Sequence, residues 1–458
     1  MDLPPLTIDR SAGRPLGVQL ADGIRGAAMA GSLRPGDRLP STRSLAAELG
    51  VSRTVCATAY DQLLAEGWLA ARPGSGTFVV GVPGALPNGP QPPFRATLTA
   101  PAVDGRAGGA DTRAITLRAG LPCLDAIDRP MWRRAWRVAA DAPIERSADL
   151  EGLPAFRAVV VEHLLRHRGL PVDPSRVLAT AGSTAALAEL AALLPAGSSI
   201  AVEDPGYAGG AAALRSAGHH LVGVPVDADG LVVDAIPAGM AAVVVTPAHQ
   251  YPMGARLTAA RRVELVERAR RDGMLVIEDD YDGELRYDVA PLPLLAALAP
   301  DVVTHLGTAS KMLTPGLGCG WLVAPPAVRA DLVRHRRATG SRPAAAGQRV
   351  ITALAANGDL GRHLRRLRRE LSARRAEVVA AVRGAGRTPL GDAAGAHVVA
   401  EVDDERALIA AAAEQGVELD GLARHHLHPA GRQGLVIGYA GPTAGDLTTG
   451  LKVLSALL

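Results

Sequence analysis

Residues 33–79 read LRPGDRLPSTRSLAAELGVSRTVCATAYDQLLAEGWLAARPGSGTFV. Ser41 can cap a helix carrying Leu45 and Leu49, and Gly50-Val51 supply a tight turn. Ser52 then caps a second helix whose Val55, Tyr60, Leu63 and Leu64 face inward. Two short helices joined by a glycine-containing turn have helix-turn-helix geometry. Gly67 ends the second helix, after which Trp68-Leu69-Ala70-Ala71 and Thr77-Phe78-Val79-Val80 can pair as a hairpin around Arg72-Pro73-Gly74-Ser75-Gly76. That hairpin is a wing. Ser52, Arg53 and Thr54 open the second helix, where a recognition helix enters the major groove of double-stranded DNA. Arg43 and Arg72 are placed to reach flanking phosphates.

Outward from this stretch, Gly81 to Arg113 turns to Pro, Gly and small residues (GVPGALPNGPQPPF, then DGRAGGADTR) with no apolar period, as an interdomain linker does. Beyond it, apolar runs at Ser199–Glu203, Ala242–Thr246, Met274–Glu278 and Val302–Leu306 alternate with Ala/Leu/Arg helical stretches. Such alternation predicts an α/β domain with a mostly parallel sheet. From about Arg329, Arg-rich helices precede a closing α/β segment, a smaller subdomain. The expected division is a winged helix over 1–80, a linker over 81–113 and an α/β domain over 114–458. No internal repeat is evident.

At 458 residues the chain exceeds what one core usually supports, consistent with two folded units. The Pro-rich, acidic opening MDLPPLTIDR does not read as a signal peptide, and charged residues, Pro or Gly interrupt every long apolar run. The expected compartment is the cytoplasm, with no membrane partner. Cys56, Cys123 and Cys319 are odd in number and far apart, which suits reduced thiols and implies no metal. Net charge is only +3, but residues 329–375 hold thirteen Arg against three acids. Within its stretch Arg362–Arg375, Leu364, Leu367 and Leu371 fall at helical spacing, so the arginines of that stretch are expected on a solvated face, with a second DNA contact as the alternative.

Of the 49 basic residues only Lys311 and Lys452 are lysines. Arg stays protonated, whereas a Lys amine can lose its proton and form an imine with a carbonyl. Lys311 closes Gly307-Thr308-Ala309-Ser310-Lys311. Upstream, Thr180-Ala181-Gly182-Ser183-Thr184 follows a strand and opens a helix, so free N–H groups and the helix dipole can face a phosphate. Glu203-Asp204-Pro205-Gly206-Tyr207 places an aromatic ring past a strand end, where open α/β sheets bind ligands. Ile277-Glu278-Asp279-Asp280-Tyr281-Asp282 ends a strand in an acidic cluster. Alternation puts Asp279 and Tyr281 on one face, suited to a pyridinium nitrogen and a ring hydroxyl; a bulge would exchange Asp279 with Asp280. A capped turn or a metal site is the plainer reading of the same cluster.

The segment 33–79 is similar to the DNA-binding domain of GntR-type regulators. The order of anion cradle, aromatic, Asp-x-Tyr and Ser-Lys resembles fold-type I pyridoxal phosphate enzymes, and with the winged helix in front the match narrows to the MocR family. Val202–Tyr207, Thr246-Pro247-Ala248-His249-Gln250-Tyr251-Pro252-Met253-Gly254, Glu278–Asp282 and Gly307–Lys311 carry the resemblance. It implies an aminotransferase-like domain holding pyridoxal 5'-phosphate as a Schiff base on Lys311. Asp279 would hold the ring nitrogen and Tyr281 the ring oxygen, while Ser183, Thr184, Thr308 and Ser310 cradle the phosphate. Tyr207 would cover one ring face, with His249 near the cofactor. The family also implies a head-to-tail homodimer.

Two positions depart from the pattern. The resemblance implies an Arg clamping the phosphate seven residues after the lysine, and here that position is Gly318. It also implies an Arg for a substrate carboxylate where this chain has Val436, with Arg432 as the substitute if the register slips. The expected function is therefore a transcriptional regulator responding to pyridoxal phosphate or to an amine joined to it, without efficient transaminase turnover. The alternatives are a working aminotransferase with a tethered winged helix, or a regulator sensing another ligand.

Overall fold

A computed structural model of the chain describes residues 8–80, 114–144, 149–287, 294–391, 394–428 and 432–458. The segment 81–113, expected as a linker, lies outside the described residues. The chain divides into two compact units, Met1–Thr99 and Ala100–Leu458.

In the first unit the helices Leu16–Met29, Thr42–Leu49 and Arg53–Ala65 pack on a three-stranded antiparallel sheet. Ser41 Oγ accepts from the Ser44 N–H at 3.1 Å, and Gly50, at φ +63°, ends that helix in the left-handed conformation that suits glycine. Ser52 Oγ caps the next helix, accepting from the Val55 N–H at 3.4 Å. The predicted hairpin forms from Leu69–Arg72 and Gly76–Val79, and Arg38–Leu39 adds a third strand not foreseen from the sequence. That strand is held because the Gly36 N–H and the Asp37 carbonyl both pair with Val79. Leu20, Ile24, Leu45, Cys56, Leu63 and Leu69 close one core. The unit is a winged helix.

The second unit is built on an eight-stranded sheet in the order Val177–Thr180, Gly320–Val323, Val303–Thr308, Leu275–Asp279, Ala242–Val245, Ser199–Asp204, His220–Asp227, Gly230–Leu231. The central pairs are parallel; Gly320–Val323 runs against both its neighbours. Thr180, Asp204, Asp279 and Thr308 therefore all sit at one sheet edge, the carboxyl end where such folds bind ligands. A Cβ on Gly320 would lie 2.6 Å from the Gly307 carbonyl and 2.9 Å from Cα of Gly182. Glycine there lets the turn at Gly182 close onto that edge.

The smaller subdomain has the antiparallel strands Pro389–Leu390, His397–Glu401 and Gly434–Gly438, with the helices Asp359–Gly384, Glu405–Glu414 and Ala444–Leu457. On the long helix Leu364, Leu367 and Leu371 are buried as their spacing predicts, and Arg362, Arg365 and Arg369 are exposed. Arg374 departs from the expected solvated face. It is 2% exposed and donates to the carbonyls of Tyr439, Ala440 and Pro442, which packing from outside the helix brought to it. Among the described residues no helix is long and apolar enough to cross a membrane.

Candidate functional site

A cavity of about 370 Å³ opens at the carboxyl edge of the sheet, and Lys311 reaches into it from the turn after Thr308. Its Nζ donates to the Gly120 carbonyl at 2.5 Å. Burial holds the Lys311 amine below the usual lysine range, opposed by the carboxylates of Asp282 and Asp279. The amine is thus readier to lose its proton than a lysine in water.

The acidic cluster resolves residue by residue. Glu278 points away and caps a helix, accepting from the Leu295 and Ala296 N–H groups at 2.8 and 3.1 Å. Asp280 is gripped by Arg168 through two bonds of 2.7 Å. Asp282 accepts from His249 Nδ1 at 2.7 Å. Asp279 alone of the four lines the cavity with a buried oxygen, Oδ1, that has no partner among the described residues. Burial, and then the neighbouring Asp280 charge, push its carboxyl up to about 7. Strand alternation therefore holds without a bulge, and the capped-turn reading describes Glu278.

Tyr281 lines the cavity, and its hydroxyl lies 3.0 Å from His249 Nδ1, with the two rings stacked at 6.2 Å. His249 is not among the lining residues; it stands behind Tyr281. Thr184 and Tyr207 share a hydrogen bond of 3.0 Å between their hydroxyls, and Tyr207 remains 41% exposed over the mouth. Ser183 and Thr184 open the helix Ser183–Ala191, whose preceding Gly182 has φ +126°. The Ser310 N–H donates to Thr308 Oγ1 at 3.2 Å, and that hydroxyl donates to Ser310 Oγ at 3.0 Å. Hydroxyls and a helix N-terminus thus share one cavity, as an anion cradle requires.

Glu203 ties two motifs together. It accepts from the Thr246 hydroxyl at 2.5 Å, the Thr246 N–H at 3.0 Å and Gln250 Nε2 at 3.2 Å, so the loops bearing Tyr207 and Tyr251 share one buried carboxylate. Gly318 sits at φ +51°, and a Cβ there would meet nothing within 4 Å among the described residues. Val436 is fully buried in an apolar cluster with Met253, Val399 and Leu422. Arg432 does not substitute for it: its guanidinium pairs with Glu401 at 2.7 Å, and it lines a separate groove of about 720 Å³.

The sequence reading missed Gly120, Tyr251, His397, Arg424 and His425, all lining the cavity. Tyr251 lay inside a motif already singled out; the others come from distant segments with no local pattern to mark them.

In the winged helix Ser52, Arg53 and Thr54 are exposed at the start of the second helix of the pair, and Arg43 is exposed on the first. Arg72 is exposed on the wing, its guanidinium 4.8 Å from the Phe78 ring centroid.

These features define a winged helix joined to an aminotransferase-type domain with a lysine-centred cavity. Residues 16–79 match the family of bacterial regulatory proteins, gntR family, and residues 113–451 match aminotransferase class I and II. The chain is 35% identical over 439 residues, 95% of its length and 94% of the relative's, to the HTH-type pyridoxine biosynthesis transcriptional regulator PdxR of Corynebacterium glutamicum. It is 33% identical over 474 residues, 98% and 95% of the two chains, to the probable rhizopine catabolism regulatory protein MocR of Rhizobium meliloti. An archaeal alanine:glyoxylate aminotransferase matches 75% of this chain and 90% of its own with a TM-score of 0.71 at 24% identity. LysN, an α-aminoadipate aminotransferase of Thermus thermophilus complexed with N-(5'-phosphopyridoxyl)-L-leucine, matches 75% and 92% with a TM-score of 0.68 at 25% identity. The chain belongs to the MocR family, in which a GntR-type winged helix precedes an aminotransferase-like domain.

Proposed function

We propose that this chain is a DNA-binding transcriptional regulator whose aminotransferase-like domain holds pyridoxal 5'-phosphate on Lys311 as its sensing group. The observation that carries the reading is Asp279 Oδ1, buried, without a partner among the described residues and in the same cavity as the desolvated lysine amine. A buried carboxylate oxygen without a partner costs free energy, and a protonated pyridine nitrogen removes that cost. Tyr281, steadied by His249, would meet the ring oxygen, and Tyr207 would cover a ring face. Ser183, Thr184, Thr308, Ser310 and the helix N-terminus would hold the phosphate without a guanidinium, because position 318 is glycine. The aldehyde supplies reversible condensation with amines, which is what makes the group a sensor.

Arg53, flanked by Ser52 and Thr54, would read base edges, with Arg43 and Arg72 on phosphates. Two copies of the chain would pair head to tail, as the family resemblance implies. The domain acts as a receptor rather than a transaminase: the strand position that would carry a carboxylate clamp is the buried Val436.

The test is the visible spectrum of the full chain with pyridoxal phosphate, followed by borohydride reduction. A visible band and a covalent label on Lys311, both lost in Lys311→Ala, are expected. A label elsewhere, or an equal band in the variant, overturns the assignment.

A further inference from the structure

The cation missing at Val436 has a counterpart on the neighbouring segment, which does reach the cavity. The Val436 N–H donates to the Asp420 carbonyl at 2.8 Å, and the chain after Asp420 turns through Ala423–His425 to bring Arg424 and His425 to the cavity wall. Among the described lining residues the Lys and Arg side chains are Lys311, whose amine the cofactor would take up, and Arg424, whose guanidinium stays charged.

Arg424 is anchored without being consumed. Its Nη1 lies 3.1 Å from Oδ1 of Asp420, which is 4% exposed, while the arginine side chain keeps 45% exposure. A guanidinium has five donors in a planar fork, so one contact leaves most of it for a ligand. His425 is 5% exposed, yet neither ring nitrogen has a hydrogen-bond partner among the described residues; Asp420 Oδ2, at 3.6 Å from Nε2, is beyond hydrogen-bond reach. Its ring meets Tyr251 edge to face at 5.1 Å. An imidazole so enclosed and unpartnered, in a cavity wall, calls for a polar ligand atom. The segment is also tied to the loop carrying Tyr207: the Gly206 N–H donates to the His425 carbonyl at 2.9 Å, and His426 Nδ1 lies 2.9 Å from Asp204 Oδ1.

We infer that Arg424, with His425 beside it, recognises the carboxylate of an α-amino acid joined to the cofactor, so that this receptor selects amino acids over plain amines. The inference rests on the cofactor reading above. A guanidinium shared with Asp420 and open to solvent holds a carboxylate well enough to select ligands, but less rigidly than a preorganised clamp for turnover demands. Because the same turn is bonded to the loop of Tyr207, a carboxylate seated there would bear on both subdomains at once.

The test compares two stable probes on the unliganded full chain by calorimetry: N-(5'-phosphopyridoxyl)-L-alanine and N-(5'-phosphopyridoxyl)-ethylamine, which differ by the carboxylate alone. The alanine probe should bind at least tenfold more tightly. Arg424→Gln should remove that preference, with a thermal denaturation midpoint unchanged from the parent showing that the variant is folded; Arg424→Lys should keep part of it. Equal affinities in the parent chain, or a preference that persists in Arg424→Gln, would overturn the inference while the cofactor reading stands. Failure of pyridoxal phosphate and both probes to bind would overturn both.

Discussion

The amine of Lys311 is parked on the carbonyl of Gly120, 191 residues earlier in the chain, with 2.5 Å between Nζ and the oxygen. One hydrogen bond to a neutral carbonyl does little to offset the burial that lowers the lysine's pKa. The deprotonated, reactive amine is therefore available at lower pH than in free lysine. The rate at which pyridoxal phosphate is captured, followed by borohydride trapping across pH, should rise through a midpoint below 10.5, the ordinary lysine value. A midpoint at that value would mean the amine is solvated.

Asp279 sets a pH dependence of the opposite sense. Its folded-state carboxyl titrates near 7 against an ordinary 3.8, so the folded unliganded chain holds an extra proton between those values. That contribution is fully present below pH 3.8 and is lost as pH rises through 7. Asp279→Asn removes it. In denaturation of the large domain without cofactor, the variant should gain on the parent between pH 5 and pH 8, by roughly 2 to 4 kcal/mol. A difference that stays constant with pH would contradict the buried, unpartnered carboxylate. The same variant should bind pyridoxal phosphate roughly 10- to 100-fold more weakly, since a bond to a charged partner is lost.

Much of this site was legible because strand alternation is a strict rule. It separates Asp279 from Asp280 on the sequence alone, and the two bonds from Arg168 to Asp280 show why the neighbour is unavailable. Capping by Ser41 and Ser52 was equally local, and so were the helices they begin. The strand Arg38–Leu39 escaped notice because a two-residue strand has no period to read. Gly120, His397 and Arg424 escaped for another reason: they join the cavity only through the packing of the closing subdomain and of the segment leading into the large sheet. His249 was placed near the cofactor by motif alone, and its bonds to Asp282 and Tyr281 give it a supporting position.

Gly318 offers a direct test of the phosphate cradle. Among the described residues a Cβ would meet nothing within 4 Å, but φ +51° imposes a penalty of about 1 to 2 kcal/mol on any L-residue. Gly318→Arg should tighten pyridoxal phosphate binding while lowering the stability of the unliganded chain by about that amount. Calorimetry and denaturation read the two effects separately. Weaker binding in a folded variant would show that the guanidinium cannot reach the phosphate.

On the winged helix, Arg53 and Arg72 should behave differently. Arg53→Ala, at the exposed start of the second helix, should cost about 1 to 3 kcal/mol on a preferred sequence and relax that preference, whereas Arg72→Ala should weaken all duplexes alike. Anisotropy titrations at fixed salt, on specific and scrambled duplexes, distinguish the two. Unchanged specific binding in Arg53→Ala would remove this helix from base readout.

In the proposed function Lys311 couples cofactor to DNA. Its most direct test is the affinity of the full chain for a duplex that it selects from a random-sequence pool, measured with and without pyridoxal phosphate in the parent and in Lys311→Ala. Affinity should change severalfold in the parent and not at all in the variant. An equal shift in both chains, or no shift in the parent, would contradict that coupling.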